Sequence, residues 1–293
     1  MNNDRVVLGL LYDKRERAVP FRWTNGRMTV LRGPGGKPVY TDNPGLGGRN
    51  SVNSRGEIAW TVIVNGNRRA MRWTAAGKAS FLPGLPGHKW TDVFGINDDG
   101  VASGWSRKLA SDDGVENPVL WDASGNVIAL KTAPRRADGI AEATNRFGLT
   151  VGYLGNAGTD GIPGVPNTDP ERDNAVVWSS RTAHPNMLGR PAPVHVIAEL
   201  VDVNDRGQAA GMAAKLTNTG FPVAVPRIWR TGWTSLRPIA IPAPSRKSPV
   251  VIGALNDINN PGDIVGTVYG FGKKDFGSLL RIDPVVWTCQ FGE

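Results

Sequence analysis

The 293 residues carry 34 Lys/Arg against 26 Asp/Glu, a net charge of +8, with 40% apolar and 20% charged side chains, a balance that excludes a disordered chain. Thirty-seven glycines and 22 prolines are spread along the whole length, which excludes long helices and suits many short strands joined by turns. A single cysteine, Cys289, excludes an internal disulfide framework, and the first apolar run, VVLGLL, is far too short to span a membrane.

In chain order the elements recur. The pattern starts with a degraded copy, Asn2-Asn-Asp-Arg5, and continues with Asn53-Ser-Arg-Gly56, Asn97-Asp-Asp-Gly100, Asn145-Arg-Phe-Gly148, Asn204-Asp-Arg-Gly207 and Asn259-Asn-Pro-Gly262. The starts lie 51, 44, 48, 59 and 55 residues apart. The asparagine side chain bonds its own backbone two residues on and the glycine tolerates positive φ, so each copy reads as a tight turn. Seven residues after each asparagine stands Gly9, Trp60, Gly104, Gly152, Gly211 or Gly266, and the mid-strand glycine implies close approach of a neighbouring backbone. An apolar run then closes on Trp23, Trp73, Trp121, Trp178, Trp229 or Trp287. A turn and a leucine follow, as with Asn25-Gly26 before Leu31 and Ser124-Gly125 before Leu130.

Four antiparallel strands in about 50 residues make one blade of a propeller. The expectation is therefore an all-β, six-bladed β-propeller in one domain, residues 1–293, with repeats at 2–52, 53–96, 97–144, 145–203, 204–258 and 259–293. Three strands are expected in the first and last repeats and four in the others; five blades plus an irregular seam is the alternative. The repeated tryptophans are read as pegs between blades.

The segments "INDDGVASGWS…NPVLWDASGNVIAL" and "INNPGDIVGTVYG…DPVVW" resemble the HAF repeat family over almost the whole chain. The resemblance implies a propeller-like fold and carries over no catalytic residue. Most such proteins look secreted, and the N-terminus MNNDRVVLGLLYDKRER has no leader pattern, so a cytoplasmic location is the expectation here.

Loop length separates two faces. From the seven-residue anchor to the tryptophan the spacing runs from 13 to 26 residues, whereas the asparagine-to-anchor spacing never changes. The hairpin before each tryptophan therefore lies on a variable face, where scaffolds place ligands. Its largest insertion, Gly155 to Asn174, is a candidate lid. Residues 1–90 hold 15 Lys/Arg against 5 Asp/Glu, and Arg68, Arg69, Arg135 and Arg136 fall on that face.

His88 with Asp92 and His195 with Glu199 are the candidate acid–base pairs, since histidine titrates near neutrality. Trp90, Asp138 and the four arginines are the candidate ligand-binding residues. There is no nucleophile elbow, His-Glu-x-x-His helix or phosphate loop, and three histidines with one cysteine argue against a metal or other cofactor. The acidic clusters Asp112-Asp113 with Glu116, and Asp169 with Glu171 and Asp173, match no calcium loop.

Three functions are compatible with these features. The first is an organic-ligand pocket at the mouth of the central channel, acting on an anionic substrate by cofactor-independent lyase, hydrolase or cyclase chemistry. The second is a non-enzymatic platform for a protein or polyanion. The third is glycan binding. The expected form is a monomer with neither membrane nor nucleic acid as partner.

Overall fold

A computed structural model describes residues 6–41, 51–108, 115–134, 136–155, 174–188, 195–216, 222–239, 250–271 and 279–288. For 195–197, 215–216, 222–224, 250–254, 269–271 and 279–283 it describes the backbone alone. Among these residues there are 21 strands in six antiparallel sheets, and no helix is long and apolar enough to cross a membrane.

The first sheet holds β1 (Val7–Tyr12), β2 (Ala18–Thr24) and β3 (Arg27–Val30), and the second holds β4 (Ile58–Val64), β5 (Asn67–Trp73) and β6 (Ala79–Phe81). Three four-stranded sheets follow. They are β7 (Trp90–Ile96), β8 (Ala102–Arg107), β9 (Asn117–Trp121) and β10 (Val127–Ala129); β11 (Asp138–Thr144), β12 (Thr150–Gly155), β13 (Asn174–Trp178) and β14 (Asn186–Met187); and β15 (His195–Val203), β16 (Gln208–Leu216), β17 (Pro222–Arg230) and β18 (Arg237–Pro238). The last sheet holds β19 (Val250–Ile258), β20 (Ile264–Phe271) and β21 (Leu279–Trp287).

Every sheet is a simple meander, so each repeat folds on itself before it meets the next. The second repeat departs from the expected four strands. Its inner strand survives as two fragments bridged to β4, Tyr40 opposite Ile63 and Val52 opposite Ile58, separated by the stretch 42–50. The reason is register: pairing outward from Val52 would place residue 47 opposite Ile63, and Tyr40 stands there instead.

The core is divided into five apolar slabs, one between each pair of successive sheets. In three of them one joint is repeated. Trp73, Trp121 and Trp178 are each 0% exposed and pack against Leu31, Leu82 and Leu130 of the preceding sheet. Their indole N–H groups donate to the carbonyl of the residue after that leucine: Trp73 to Arg32, Trp121 to Pro83 (both 2.7 Å) and Trp178 to Lys131 (2.8 Å). A buried indole needs an acceptor, and the neighbouring sheet supplies it. Trp229 breaks the pattern by donating to Trp233 of its own repeat at 2.8 Å.

The mid-strand glycines have an equally specific cause. β7, β11 and β15 each bulge just before the asparagine turn, with register shifts between Val93 and Gly95, Ala141 and Ala143, and Leu200 and Asp202. The bulge drives a carbonyl onto the partner strand. A Cβ on Gly104, Gly152 or Gly211 would stand 2.0 Å from the oxygen of Asp92, Ile140 or Glu199 respectively, which no side chain tolerates.

Trp23 of the first sheet is 40% exposed. Replacing Trp121 by alanine is therefore expected to cost about 3–5 kcal/mol in urea unfolding, while Trp23→Ala costs a small fraction of that. Equal losses would show that the tryptophans do not act as pegs between sheets.

Candidate functional site

The hairpin end of the sheets separates the residues expected to form a site. His88 is half-buried and its Nδ1 lies 2.9 Å from Ser106 Oγ, which also accepts the Leu85 N–H. Asp92 is buried and bonds Thr61 and Arg68 across the joint between the second and third sheets. The two members of the expected His88–Asp92 pair thus hold different partners, because the bonds at Asp92 stitch sheets together and the bond at His88 stitches a loop. Glu199 is half-buried on β15, opposite Met212. The side chain of His195 and all of Arg135 lie outside the described residues, as do most of the insertion 155–174, the clusters around Asp112 and Asp169, and Cys289.

The remaining candidates are also engaged. The Arg107 guanidinium sits 5.1 Å from the Trp90 ring centre, and Arg69 lies 5.1 Å from that of Phe81. Asp138 is buried and accepts the Glu116 N–H at 2.6 Å. Arg136 donates to the side-chain oxygen of Asn174 at 2.6 Å. Arginines already committed to carboxylates, amides and rings leave that rim less cationic than its sequence suggests.

The opposite end is organised by the asparagines. In the turns of repeats two to five the Oδ1 accepts the N–H groups two and four residues on: Asn53 from Arg55 and Glu57, Asn97 from Asp99 and Val101, Asn145 from Phe147 and Leu149, Asn204 from Arg206 and Gln208, all at 2.9–3.1 Å. Each closing glycine has positive φ, between 70° and 97°. The Nδ2 does something the turn alone does not require. It donates to the backbone carbonyl of the next repeat's asparagine, Asn53 to Asn97, Asn97 to Asn145, Asn145 to Asn204 and Asn204 to Asn259, at 2.9–3.0 Å. The residue after the asparagine adds a second rail: Ser54 N–H reaches Asp98, Arg146 N–H reaches Asp205 and Asp205 N–H reaches Asn260.

These turns surround a cavity of about 250 Å³ lined by five repeats, from Asn53 round to Asn259. Two residues before the asparagine, Gly95 and Ala143 leave it room, while the fifth and sixth repeats place Asp202 and Asp257 there. Asp98 and Asp205 add carboxylates, and Arg146 lies 3.3 Å from Asp205. Asp202 is 2% exposed, and its Oδ2 accepts the Ile258 N–H at 2.8 Å. Burial, and then the charge of and hydrogen bond to Asp257, push the Asp202 carboxyl well above the usual carboxylate range. Asp257 is half-buried. One carboxyl of such a pair stays protonated where an isolated aspartate is ionised, so the pair offers a proton donor beside an acceptor. Among the described residues no group of three or more His, Cys, Asp or Glu side chains is arranged to hold a metal.

Five sheets converging by one edge on a single opening define the architecture. No family model matches the chain, and no curated protein matches it. Among solved structures it is similar to the β-propeller domain of the Trilobed protease from Pyrococcus furiosus, described as having an open velcro topology. The likeness covers 100% of this chain and 81% of that one, with a TM-score of 0.57 and 11% identity. The fold is a β-propeller. The described sheets have the form of its blades, and the cavity lies at their asparagine end.

Asp202 and Asp257 were not among the residues singled out from the sequence, although a signal was present. Aligned on the turn asparagine, the position two before it reads Ser51, Gly95, Ala143, Asp202 and Asp257. Two acids among small residues depart from the repeat.

The raised pKa of Asp202 fixes a sign. Below about pH 4 it is protonated whether the chain is folded or not. As pH rises from there, the unfolded chain releases the proton and the folded chain keeps it, so stability falls until the folded pKa is passed. Asp202→Asn keeps an acceptor for Ile258 and cannot titrate. Thermal unfolding between pH 4 and 8 is expected to show a decline in the wild type that is flattened in this variant. Parallel curves would mean that Asp202 ionises normally.

Proposed function

We propose that the protein is a ligand-binding β-propeller whose site is the asparagine-side channel mouth, and that the Asp202–Asp257 pair equips it for proton transfer to a small polar ligand. The observation that carries this reading is the hydrogen-bonded carboxyl pair opening on a cavity where five blades meet. A carboxyl perturbed as Asp202 is, beside a concave site, is one mark of a functional centre. A cavity of about 250 Å³ suits a molecule the size of a single sugar or amine rather than an extended chain.

The charge of the lining sets the ligand class. Among the described lining residues Asp98, Asp205 and Asp257 stand against one cation, Arg146, while Asp202 is biased toward its neutral form, so a neutral or cationic ligand fits better than the anionic one expected from the basic N-terminal third. The chemistry such a pair performs is general acid–base: the protonated carboxyl donates to a leaving or carbonyl oxygen, and the ionised one accepts a proton from water or substrate. Lyase or hydrolase turnover without a resident cofactor falls within that class. The hairpin rim is less favoured because Arg68, Arg69 and Arg136 are already engaged.

Thermal-shift titration tests the ligand class. Amines, amino sugars and neutral sugars are expected to raise the melting temperature, as any ligand specific to the folded state does. Asp257→Asn should weaken the response to amines most. Stabilisation by carboxylates or phosphates instead, unchanged in Asp257→Asn, would contradict the assignment.

A further inference from the structure

Positive charge is concentrated in the first two blades, and the structure shows which part of it is already neutralised. From Arg17 to Thr91 the sequence holds 12 Lys/Arg and only two acids, Asp42 and Glu57. Arg17 pairs with Asp13, Arg55 and Arg72 with Glu57, and Arg68 with Asp92, while Arg69 covers the Phe81 ring. Arg22, Arg32 and Lys78 have no such carboxylate. All three line one hollow of about 610 Å³ between the first blade and the turn after Trp73, and no acid is among its described lining residues.

The next joint along the chain shows what this one lacks. Arg22 and Arg72 each stand just before their blade's tryptophan, and each donates to a carbonyl in the following blade's turn: Arg22 to Ala75 at 2.5 Å and Arg72 to Ala123 at 2.6 Å. Arg72 is also held by Glu57, four residues after its blade's turn asparagine, at 2.5 Å. The equivalent position in the first blade is Val6. Past the tryptophan, the turn of the third blade opens on Asp122, whose carboxylate accepts the Ser124 and Asn126 N–H groups. The turn of the second blade opens on neutral Thr74, whose hydroxyl accepts the Lys78 N–H at 3.1 Å. Lys78 itself stands where the third blade has Asn126, and Arg32 where the second has Pro83. Two carboxylates are thus replaced by neutral residues, and two cations are added.

The cations are set on fixed supports. The Arg32 carbonyl receives the buried Trp73 indole at 2.7 Å, which pins its backbone, and the bond to Ala75 holds the Arg22 guanidinium across the joint. Arg32 and Lys78 are exposed and Arg22 is half-buried, so the hollow is open to a ligand from solvent. Like charges gathered around one concavity, with nothing to balance them, favour an anion there.

We infer that this hollow binds the phosphate group of a small phosphate monoester. Near neutral pH such a group carries close to two negative charges and three strong acceptor oxygens, which matches two guanidinium forks and one ammonium. The hollow exceeds a phosphate group in size, and half-buried Val30 and Ala79 leave an apolar wall for the organic part. It shares no lining residue with the cavity between Asp202 and Asp257, so it stands or falls independently of that site.

Calorimetric titration of the full chain with glucose 6-phosphate at pH 7.5 is the test, with glucose 6-sulfate, which carries a single charge, as the comparison. Saturable binding of the phosphate is expected, with weaker binding of the sulfate. Arg32→Ala and Lys78→Ala should each weaken phosphate binding about tenfold, as loss of a charge-assisted hydrogen bond does. Arg27→Ala removes the same charge from an exposed position of the same sheet outside the hollow and should leave the affinity within about twofold, as an unpaired surface charge does. Asp257→Asn should not alter it. Absence of saturable binding, an equal loss in Arg27→Ala, or equal affinity for the sulfate would overturn the phosphate site. Loss of binding in Asp257→Asn would overturn it too, by moving the anion to the asparagine-side cavity.

Discussion

One hydrogen bond carries the logic of the ring: the side-chain amide of each turn asparagine donates to the main-chain carbonyl of the next. The same side chain closes its own turn through Oδ1, so a single residue type fixes local geometry and blade-to-blade register together. Each such bond is worth only about 0.5–1.5 kcal/mol net. Its value is positional. It holds the channel ends of successive blades at one level, while the tryptophans bury the bulk of the apolar surface further out. Aspartate at that position would close the turn and lose the donor, and serine's shorter side chain has one oxygen for both tasks, which explains why asparagine recurs.

Given that ring, the cavity follows from what stands two residues earlier. The bulged inner strand turns that position toward the mouth, and the repeat fills it with small residues in the second, third and fourth blades. Acids in the fifth and sixth blades bring two carboxyls together although they lie 55 residues apart in sequence. Burial of Asp202 does most to hold a proton there, and the neighbouring carboxyl of Asp257 adds to it. A structural tie and a chemical group thus coincide at Asp202, which bonds Ile258 of the next blade and faces its partner acid.

The architecture was readable in the sequence because its anchors are local and repeated. Asn-x-x-Gly, the mid-strand glycine and the tryptophan each report a constraint that recurs in nearly every copy, and the structure gives each the role of turn, close approach and peg. The inner strand of the second blade was not readable, since nothing in residues 42–50 announces that Tyr40 would take a strand position across them. The site was less legible still. Loop variation and basic residues drew attention to the hairpin rim, where Asp92 with Arg68 turns out to join blades. Charge counted along a chain does not reveal which arginines are already paired. The carboxyl pair sat inside the most regular part of the repeat, at a position whose meaning emerges only when blades are superposed.

The relay of asparagine amides is tested most directly by hydrogen exchange of their side-chain Nδ2 protons, followed by NMR. Asn53, Asn97, Asn145 and Asn204 are expected to exchange slowly and as a group, because each donates into the neighbouring blade. Asn259, which is exposed and donates to Asp263 of its own turn, should exchange much faster. Fast and uniform exchange at all five would contradict a ring held in register by these bonds.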